Sequence, residues 1–244
     1  MQTLPQELVD KIIDELACFE YYRNMAQYSL ISRIWVTRTQ RHCFKQIDLE
    51  GMEKLEKWQR NIEPDSAGVS RHVRELTLAH ITSLEGFEAH IRAFTCVELL
   101  QIIGCSFVMS PLVAECFAPM GSSLARLWIF DVEATSGAIT SLLAALPKLK
   151  RLNVGEIKTK DDTGGADLTV RVPFFEGGGS VKFNNCDLDQ RAPPDWIPPS
   201  TRFGNLEIAT VYLLHKGELV NQWLSNSSTN LTCLAIYGNL FGKL

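Results

Sequence analysis

The sequence predicts an α/β protein with two parts, three short N-terminal helices and then an irregular solenoid of alternating strands and helices. In the first part apolar residues recur at four-residue steps, as amphipathic helices require. In the second part a short apolar strand pattern returns at nearly regular intervals. The chain of 244 residues is 45% hydrophobic and 21% charged, which is ordinary for a protein with a buried core.

The charge balance argues against a nucleic-acid-binding protein. The chain has 24 Lys and Arg residues against 28 Asp and Glu residues, a formal net charge of −4. Nucleic-acid-binding proteins usually have a basic surplus, because phosphate contacts supply much of their affinity. No apolar run approaches the ~20 residues that cross a bilayer, and the N-terminus lacks the features of a secretory signal. We therefore expect no nucleic-acid or membrane partner, and a location in the cytoplasm, the nucleus or both.

No motif for catalysis or metal binding is apparent. The 7 cysteines are scattered without a Cys-x-x-Cys pair, and the 5 histidines form no pair at metal-ligand spacing. The glycine run at 177–179 lacks the lysine and the spacing of a phosphate-binding loop. We therefore predict no catalytic residue, no metal ligand and no cofactor, and a chain that is not an enzyme.

The first predicted helix begins at Pro5. Proline suits the first helical position, because the N–H that it lacks would have no helical partner there. Leu8, Ile12 and Leu16 follow at four-residue steps with Ile13 beside them, and charged residues occupy the other face. This pattern predicts an amphipathic helix with one apolar stripe.

Two further blocks follow this helix. Residues 25–35 form an apolar cluster that includes Leu30 and Trp35, and residues 37–49 are basic and end in an extended pattern. The three blocks read Leu-Pro-x-Glu-Leu-x-x-x-Ile-Ile-x-x-Leu, then Ser-Leu-x-Ser-x-x-Trp, then Phe-x-x-Ile-x-Leu. In this order they resemble an F-box; the alternative is a generic helical hairpin that caps the following domain.

The resemblance implies a partner surface. F-box helices dock on the Skp-type adaptor of a cullin–RING ubiquitin ligase, and exposed apolar residues on so short a motif would mark a binding site. By motif position the implied adaptor contacts are Leu4, Pro5, Leu8, Ile12, Ile13 and Leu16, with Leu30 and Trp35 divided between the interface and the motif's own core.

A short amphipathic helix is predicted at 52–62, and the Pro- and Gly-containing stretch at 64–68 then breaks the chain. The predicted divisions are an F-box at 1–49, a linker helix and turn at 50–69, and the repeat region at 70–244.

The repeat region follows the pattern apolar-x-x-apolar-x-apolar. The middle positions of its copies are Leu76, Leu100, Leu127, Leu152, Val181, Ala209 and Leu234. The steps between these positions are 24, 27, 25, 29, 28 and 25 residues, within the 20–29 residues of leucine-rich repeats. Helices are predicted between the strands, which gives a parallel sheet on the concave side of a solenoid. The alternative, a doubly wound domain, predicts longer apolar strands and a glycine-rich first turn.

An F-box followed by such repeats resembles the F-box proteins with leucine-rich repeats. The resemblance spans nearly the whole chain and implies a substrate-recognition subunit of an SCF-type ubiquitin ligase, whose repeats bind the protein to be ubiquitinated. The alternative is an interaction module that acts without ligase assembly. Segments 156–180 and 187–203 interrupt the period, and the chain ends without a polar cap. Either the last repeat is exposed, or the sequence is a fragment of a longer one.

The pattern also predicts where a substrate would bind. Residues before, between and after the last two apolar positions of each copy point to the concave face. Aromatic residues beside arginines are typical of binding hot spots. The predicted substrate site is Arg126, Trp128, Phe130 and Arg151, with Tyr212 and Tyr237 further along. A register shifted by one residue would place Trp128 in the core instead.

Overall fold

The chain is an α/β protein built on one open, parallel β-sheet. The computed structural model describes residues 4–19, 22–63, 68–159, 179–184, 205–209, 225–226 and 232–237. Its helices are α1 (Gln6–Phe19), α2 (Tyr22–Tyr28), α3 (Arg33–Cys43), α4 (Gly51–Asn61), α5 (Glu88–Arg92), α6 (Pro111–Glu115) and α7 (Ser136–Ala144). Its strands are β1 (Gln46–Glu50), β2 (Glu75–Ala79), β3 (Leu99–Ile103), β4 (Arg126–Ala134), β5 (Arg151–Thr159), β6 (Ser180–Asn184), β7 (Asn205–Ala209) and β8 (Cys233–Tyr237).

Helices α1–α3 pack around a small apolar core of their own. Val9 and Ile13 of α1 and Met25 of α2 are fully buried in it, and Trp35 packs against them. Residues 25–35, a single apolar block in the sequence, are divided between α2, a turn and α3, so Trp35 lies in α3. The small number of buried residues means that these helices have little apolar core to stabilise them.

Asp14 joins α1 to α3. Its carboxylate accepts hydrogen bonds from the guanidinium of Arg38, with Nε at 2.7 Å, and lies 2.8 Å from Nε2 of His42. The hydrogen bonds from Arg38 lower the pKa of Asp14 to about 2; His42 also lowers it, against the opposite effect of burial. Asp14 is therefore ionised at neutral pH and holds the C-terminal half of α3 against α1.

Every described strand lies beside its neighbours in the sequence. The order is β1 to β8 without a crossing, and all seven pairings are parallel. A doubly wound domain has a point at which the strand order reverses, and this sheet has none in its described part. After each strand the chain returns to the same end of the sheet and adds the next strand on the same side.

One face of the sheet is buried beneath the helices. Its inward residues from β2 to β6 are almost completely buried: Leu76, Leu78, Leu100, Ile102, Leu127, Ile129, Leu152, Val154, Val181 and Phe183. They form one continuous core with residues of α4, α5, α6 and α7. The predicted inward positions of these five strands are confirmed. The alternative register is wrong, because Leu127 and Ile129 are buried and Trp128 between them is only half-buried.

The predicted register of the sixth copy is wrong by three residues. Leu206, not Ala209, lies in line with Val181 and with Leu234. Ile208, which directly precedes Ala209 and is therefore predicted for the concave face, pairs along the backbone with Phe183 of the inward row. Both Leu206-x-Ile208 and Ala209-x-Val211 satisfy the apolar pattern, and the alternation in the sheet selects the first pair.

The starts of β2, β3, β4 and β5 are each bound to the start of the preceding strand in the same way. The carbonyl oxygen of Lys45 accepts hydrogen bonds from the N–H groups of Arg74 and Glu75, at 2.8 and 3.0 Å. The same doubly used carbonyl recurs at the next three strand starts, on Arg74, Glu98 and Ala125. The sequence period therefore corresponds to a repeated backbone contact.

Four aligned positions of the first four strands also share one backbone conformation. Gly51, His80 and Gly104, which directly follow β1, β2 and β3, and Asp131 inside the longer β4 have φ of 77°, 54°, 58° and 48°. Among residues with a side chain, histidine and aspartate are two of those that tolerate this left-handed conformation best. At Gly104 a Cβ atom would lie 2.8 Å from Nδ1 of His80, so only glycine fits without displacing that ring.

The sheet begins earlier than the predicted division at residue 70. Strand β1 lies inside the predicted F-box segment, yet it pairs with β2 along its whole length. In α4, predicted as a linker, Leu55 is fully buried in the main core and the Trp58 ring lies 5.5 Å from that of Phe94. Helix α4 therefore packs as the first helix of the sheet. Of the predicted interruptions, residues 160–178 and 187–203 lie outside the described residues.

Candidate functional site

Most of the exposed large apolar residues lie on the N-terminal helices. Of the seven such residues in the described part of the chain, six lie between positions 4 and 34. We call them the N-terminal apolar patch: Leu4, Leu8, Ile12, Leu30, Ile31 and Ile34. Their exposure ranges from 41% for Ile12 to 85% for Leu30, so this surface is apolar and open to a partner.

Helix geometry brings the members of the patch together. Leu8 and Ile12 lie one turn apart on α1, and Leu4 precedes them by the same step. Nε2 of Gln6 donates a hydrogen bond to the carbonyl oxygen of Ile34 at 3.3 Å, which places the start of α1 beside the start of α3. The exposed side chains before and along α1 therefore lie close to those before and at the start of α3.

The predicted adaptor residues fall into two groups. Leu4, Pro5, Leu8, Ile12 and Leu30 are exposed. The other three turn toward the small core, where Ile13 is fully buried and Leu16 and Trp35 are half-buried. Ile13 is thus unavailable to a partner, contrary to the prediction, because it lies on the inner side of α1. Ile31 and Ile34 were missed, since the motif marks only Leu30 and Trp35 in their block.

The second face of the sheet is open in the described part of the chain. Parallel sheets are usually covered on both faces. Here the side chains of the second face from β2 to β6 are mostly half-buried or exposed. Strand pairing arranges them in rows, with Trp128 between Gln101 and Asn153. An uncovered parallel sheet that displays a tryptophan is a candidate binding surface.

The row of this face that lies at the strand starts carries charged residues; across β2 to β5 it consists of Glu75, Leu99, Arg126 and Arg151. Arg126 and Arg151 are directly paired across β4 and β5. Nη2 of Arg126 lies 3.4 Å from Oε1 of Glu75, two strands away, and Leu99 between them is only 5% exposed. Arg151 is exposed and has no ion pair within the described residues. Adjacent like charges repel, so this end of the face favours an acidic partner.

Of the remaining predicted substrate residues, Phe130 lies on the open face, whereas the side chains of Tyr212 and Tyr237 lie outside the described part of the chain. Phe130 lies between Ile103 and Gly155 in the third row and is half-buried. Tyr237 is the last residue of β8 and lies in line with Ala209, but its side chain lies outside the described part. Tyr212 lies outside the described residues altogether.

Cys105 lies three residues after Ile102, the last apolar position of its copy of the repeat pattern. Its buried thiol lies 3.5 Å from the carbonyl oxygens of Leu78 and Ile103, and its one proton is shared between these two acceptors. Burial raises the pKa of this thiol, which keeps it protonated and able to donate. Cys186 and Asn239, which follow the last apolar position of two other copies by the same three residues, lie outside the described part of the chain.

No protein-family model matches this chain, and no curated protein matches it in sequence. In the part of the chain that the structure describes, no helix is long and apolar enough to span a membrane. The same residues contain no group of three or more His, Cys, Asp and Glu side chains that could hold a metal ion. The two open surfaces therefore provide the basis for a functional proposal.

Proposed function

We propose that the chain is a substrate receptor of an SCF-type ubiquitin ligase. In this proposal α1–α3 are an F-box that binds a Skp-type adaptor and, through it, a cullin–RING ligase. The sheet region is a leucine-rich-repeat solenoid whose open face binds the protein to be ubiquitinated. The chain itself is not an enzyme and needs no cofactor, and it acts in the cytoplasm or nucleus.

The N-terminal apolar patch is the observation that carries this proposal. Six large apolar side chains are exposed on a helical unit that has only a small core. Burial of a Leu or Ile side chain is worth about 1.5–3 kcal/mol, so a partner that covers several of them gains substantial affinity. Four of the six, Leu4, Leu8, Ile12 and Leu30, are also positions at which the F-box motif implies adaptor contacts.

The repeated backbone contacts support the solenoid half of the proposal. Strand order follows the sequence, strand starts share one carbonyl contact, and the first four strands share a left-handed residue at one aligned position. Repeat proteins stack units that contact only their neighbours and present extended binding surfaces. A non-catalytic receptor of this kind acts by proximity, because tethering raises the effective concentration of substrate lysines near the ubiquitin-conjugating enzyme.

Co-expression with a Skp-type adaptor tests the proposal. We expect the wild-type chain to co-purify with the adaptor on gel filtration, and the Leu8→Glu/Ile12→Glu variant to lose this association at least tenfold. Both residues are exposed, so the melting temperature of the variant should stay close to that of the wild type.

Leu112→Glu is the matched control, because Leu112 is 74% exposed and lies far along the chain from the patch. It should retain adaptor binding. If the wild type does not bind the adaptor, or the double variant binds equally well, ligase assembly is wrong. The alternative, an interaction module that acts without a ligase, would then account for the open sheet face.

A further inference from the structure

A charged cleft lies between the N-terminal helices and the strand-start end of the sheet. Its volume is about 480 Å³, within the range of ~300–1,000 Å³ typical of small-ligand sites. It is lined by Asp14, Arg38, Arg41, His42, Lys45, His72, Arg74, Glu75, Glu98 and Arg126. Neither the apolar patch nor the Trp128 row takes part in this cleft.

Cations outnumber anions in the lining. Five Arg or Lys side chains and two histidines face three carboxylates. Each carboxylate is already engaged: Asp14 with Arg38 and His42, Glu75 with Arg126, and Glu98 with Arg74 at 3.8 Å. Arg41, Lys45 and His72 have no ion-pair partner among the described residues. The cleft is therefore a positive concavity in a chain with a net charge of −4.

The surroundings of His72 reflect the same positive charge. Burial lowers the pKa of His72, and the charges of Arg71, Arg41 and Arg74 lower it further. Three guanidinium groups thus act on one half-buried imidazole. An anion in the cleft would offset their charge and could accept a hydrogen bond from this ring.

The dipole of α3 explains only part of the cluster. Arg41 and His42 lie in the last turn of α3, where cations are favourable. Arg74 and Arg126 lie at two strand starts, where no helix end attracts them, and His72 ends a 3-10 helix of only three residues (Ser70–His72). Side chains from separate elements converge on one cavity, which is the arrangement of an anion-binding site.

We propose that this cleft binds a phosphate monoester. Arg41, Lys45 and His72 are the contacts that remain available to its dianionic oxygens, and the Asp14–Arg38 and Glu75–Arg126 pairs form the walls. The confined volume suits a single phosphate group on a small molecule or a peptide side chain better than a nucleic-acid backbone. The proposal does not depend on ligase assembly.

Isothermal titration of the full chain at constant ionic strength tests the site. The probes are inorganic phosphate, O-phospho-L-serine, and a short peptide with one phosphoserine beside its unphosphorylated form. We expect the phosphorylated probes to bind and the unphosphorylated peptide not to bind. A phosphopeptide that binds at least tenfold tighter than inorganic phosphate assigns the site to a modified protein, and equal affinities assign it to a free phosphate compound.

Arg41→Gln/Lys45→Gln should weaken phosphate binding at least tenfold. Lys57→Gln/Arg60→Gln on α4 removes the same charge from exposed positions that do not line the cleft, and should leave binding unchanged. Equal weakening in both double variants would reveal only a general charge effect and would overturn the proposal. Absence of binding by every phosphorylated probe to the folded wild type would overturn it as well. Circular dichroism establishes that each variant is folded.

Discussion

The N-terminal helices and the sheet use their apolar residues in opposite ways. In α1–α3 the fully buried apolar residues are Val9, Ile13 and Met25, while six large apolar side chains are exposed. In the described part of the sheet region, Leu112 is the one exposed large apolar residue, and a continuous core extends from Leu49 to Phe183. The difference indicates that the sheet stabilises itself, whereas the helices keep much of their apolar surface for a partner.

Two adjacent residues of β4 provide the strongest test that one face of the sheet is buried and the other is open. Leu127→Ala should cost about 2–5 kcal/mol of unfolding free energy, because it leaves a cavity in the main core. Trp128→Ala should cost about 1 kcal/mol, because its side chain is half-buried on the open face. Urea denaturation of both variants gives the two values. A loss of ~3–5 kcal/mol for Trp128→Ala would place this tryptophan in a core and contradict the open face.

Ile12 and Ile13 allow a buried and an exposed residue to be compared within α1. Ile13→Ala should destabilise the helical unit by about 2–3 kcal/mol, because Ile13 is fully buried in the small core. Ile12→Ala should change stability by less than about 0.5 kcal/mol, because that side chain is exposed. Hydrogen exchange of the α1 amides measures both effects locally. Equal protection in the two variants would show that the small core does not hold the helices together.

Asp14 gives the smallest expected effect and a pH signature. Its folded pKa of about 2 is below the ordinary 3.8, so its contribution is present above pH ~4 and is lost as the pH falls toward 2. The side chain is 40% exposed, and solvent screening limits the contribution to about 1 kcal/mol. Asp14→Asn should therefore be less stable than the wild type at pH 7 and almost equal to it at pH 2.

Denaturant titrations at the two pH values measure this difference. Glu15→Gln is the control, because Glu15 is exposed on the same helix, and its stability difference from the wild type should not change in this way. If Asp14→Asn has a lower free energy of unfolding than the wild type at pH 2 as well, the ion-pair interpretation is contradicted.

The strand-by-strand fold was largely predictable, because a period-two alternation within a regular repeat marks each buried face. Leu100 and Leu127 illustrate this, since both positions follow from spacing alone and both are fully buried. The prediction is wrong at Leu206, because two overlapping apolar patterns are present there and only the pairing with β6 distinguishes them. The predicted F-box segment, 1–49, also ends too late, because it includes most of β1 (Gln46–Glu50). In the sequence, a short strand at the edge of a sheet looks the same as the extended end of the motif.

The charged cleft could not be predicted from local sequence. Its lining residues extend from Asp14 to Arg126 and come from two helices, a short 3-10 helix and the starts of four strands, β1 to β4. No window of the sequence contains more than a few of them. The open face was predictable for the opposite reason, since Arg126, Trp128 and Phe130 lie on one strand and alternate with buried residues.

The carbonyl that binds the next strand start has a consequence for how this chain tolerates change in length. These carbonyls belong to Lys45, Arg74, Glu98, Ala125 and Lys150, at intervals of 29, 24, 27 and 25 residues. The first four accept two hydrogen bonds each and Lys150 accepts one, from Ser180, and each aligns the next strand despite the varied interval. Alignment is thus renewed at every unit and does not accumulate errors from the loops between. We expect an insertion between two of these carbonyls to leave strand pairing intact, and a duplicated or deleted unit to change pairing only for the strands beside it.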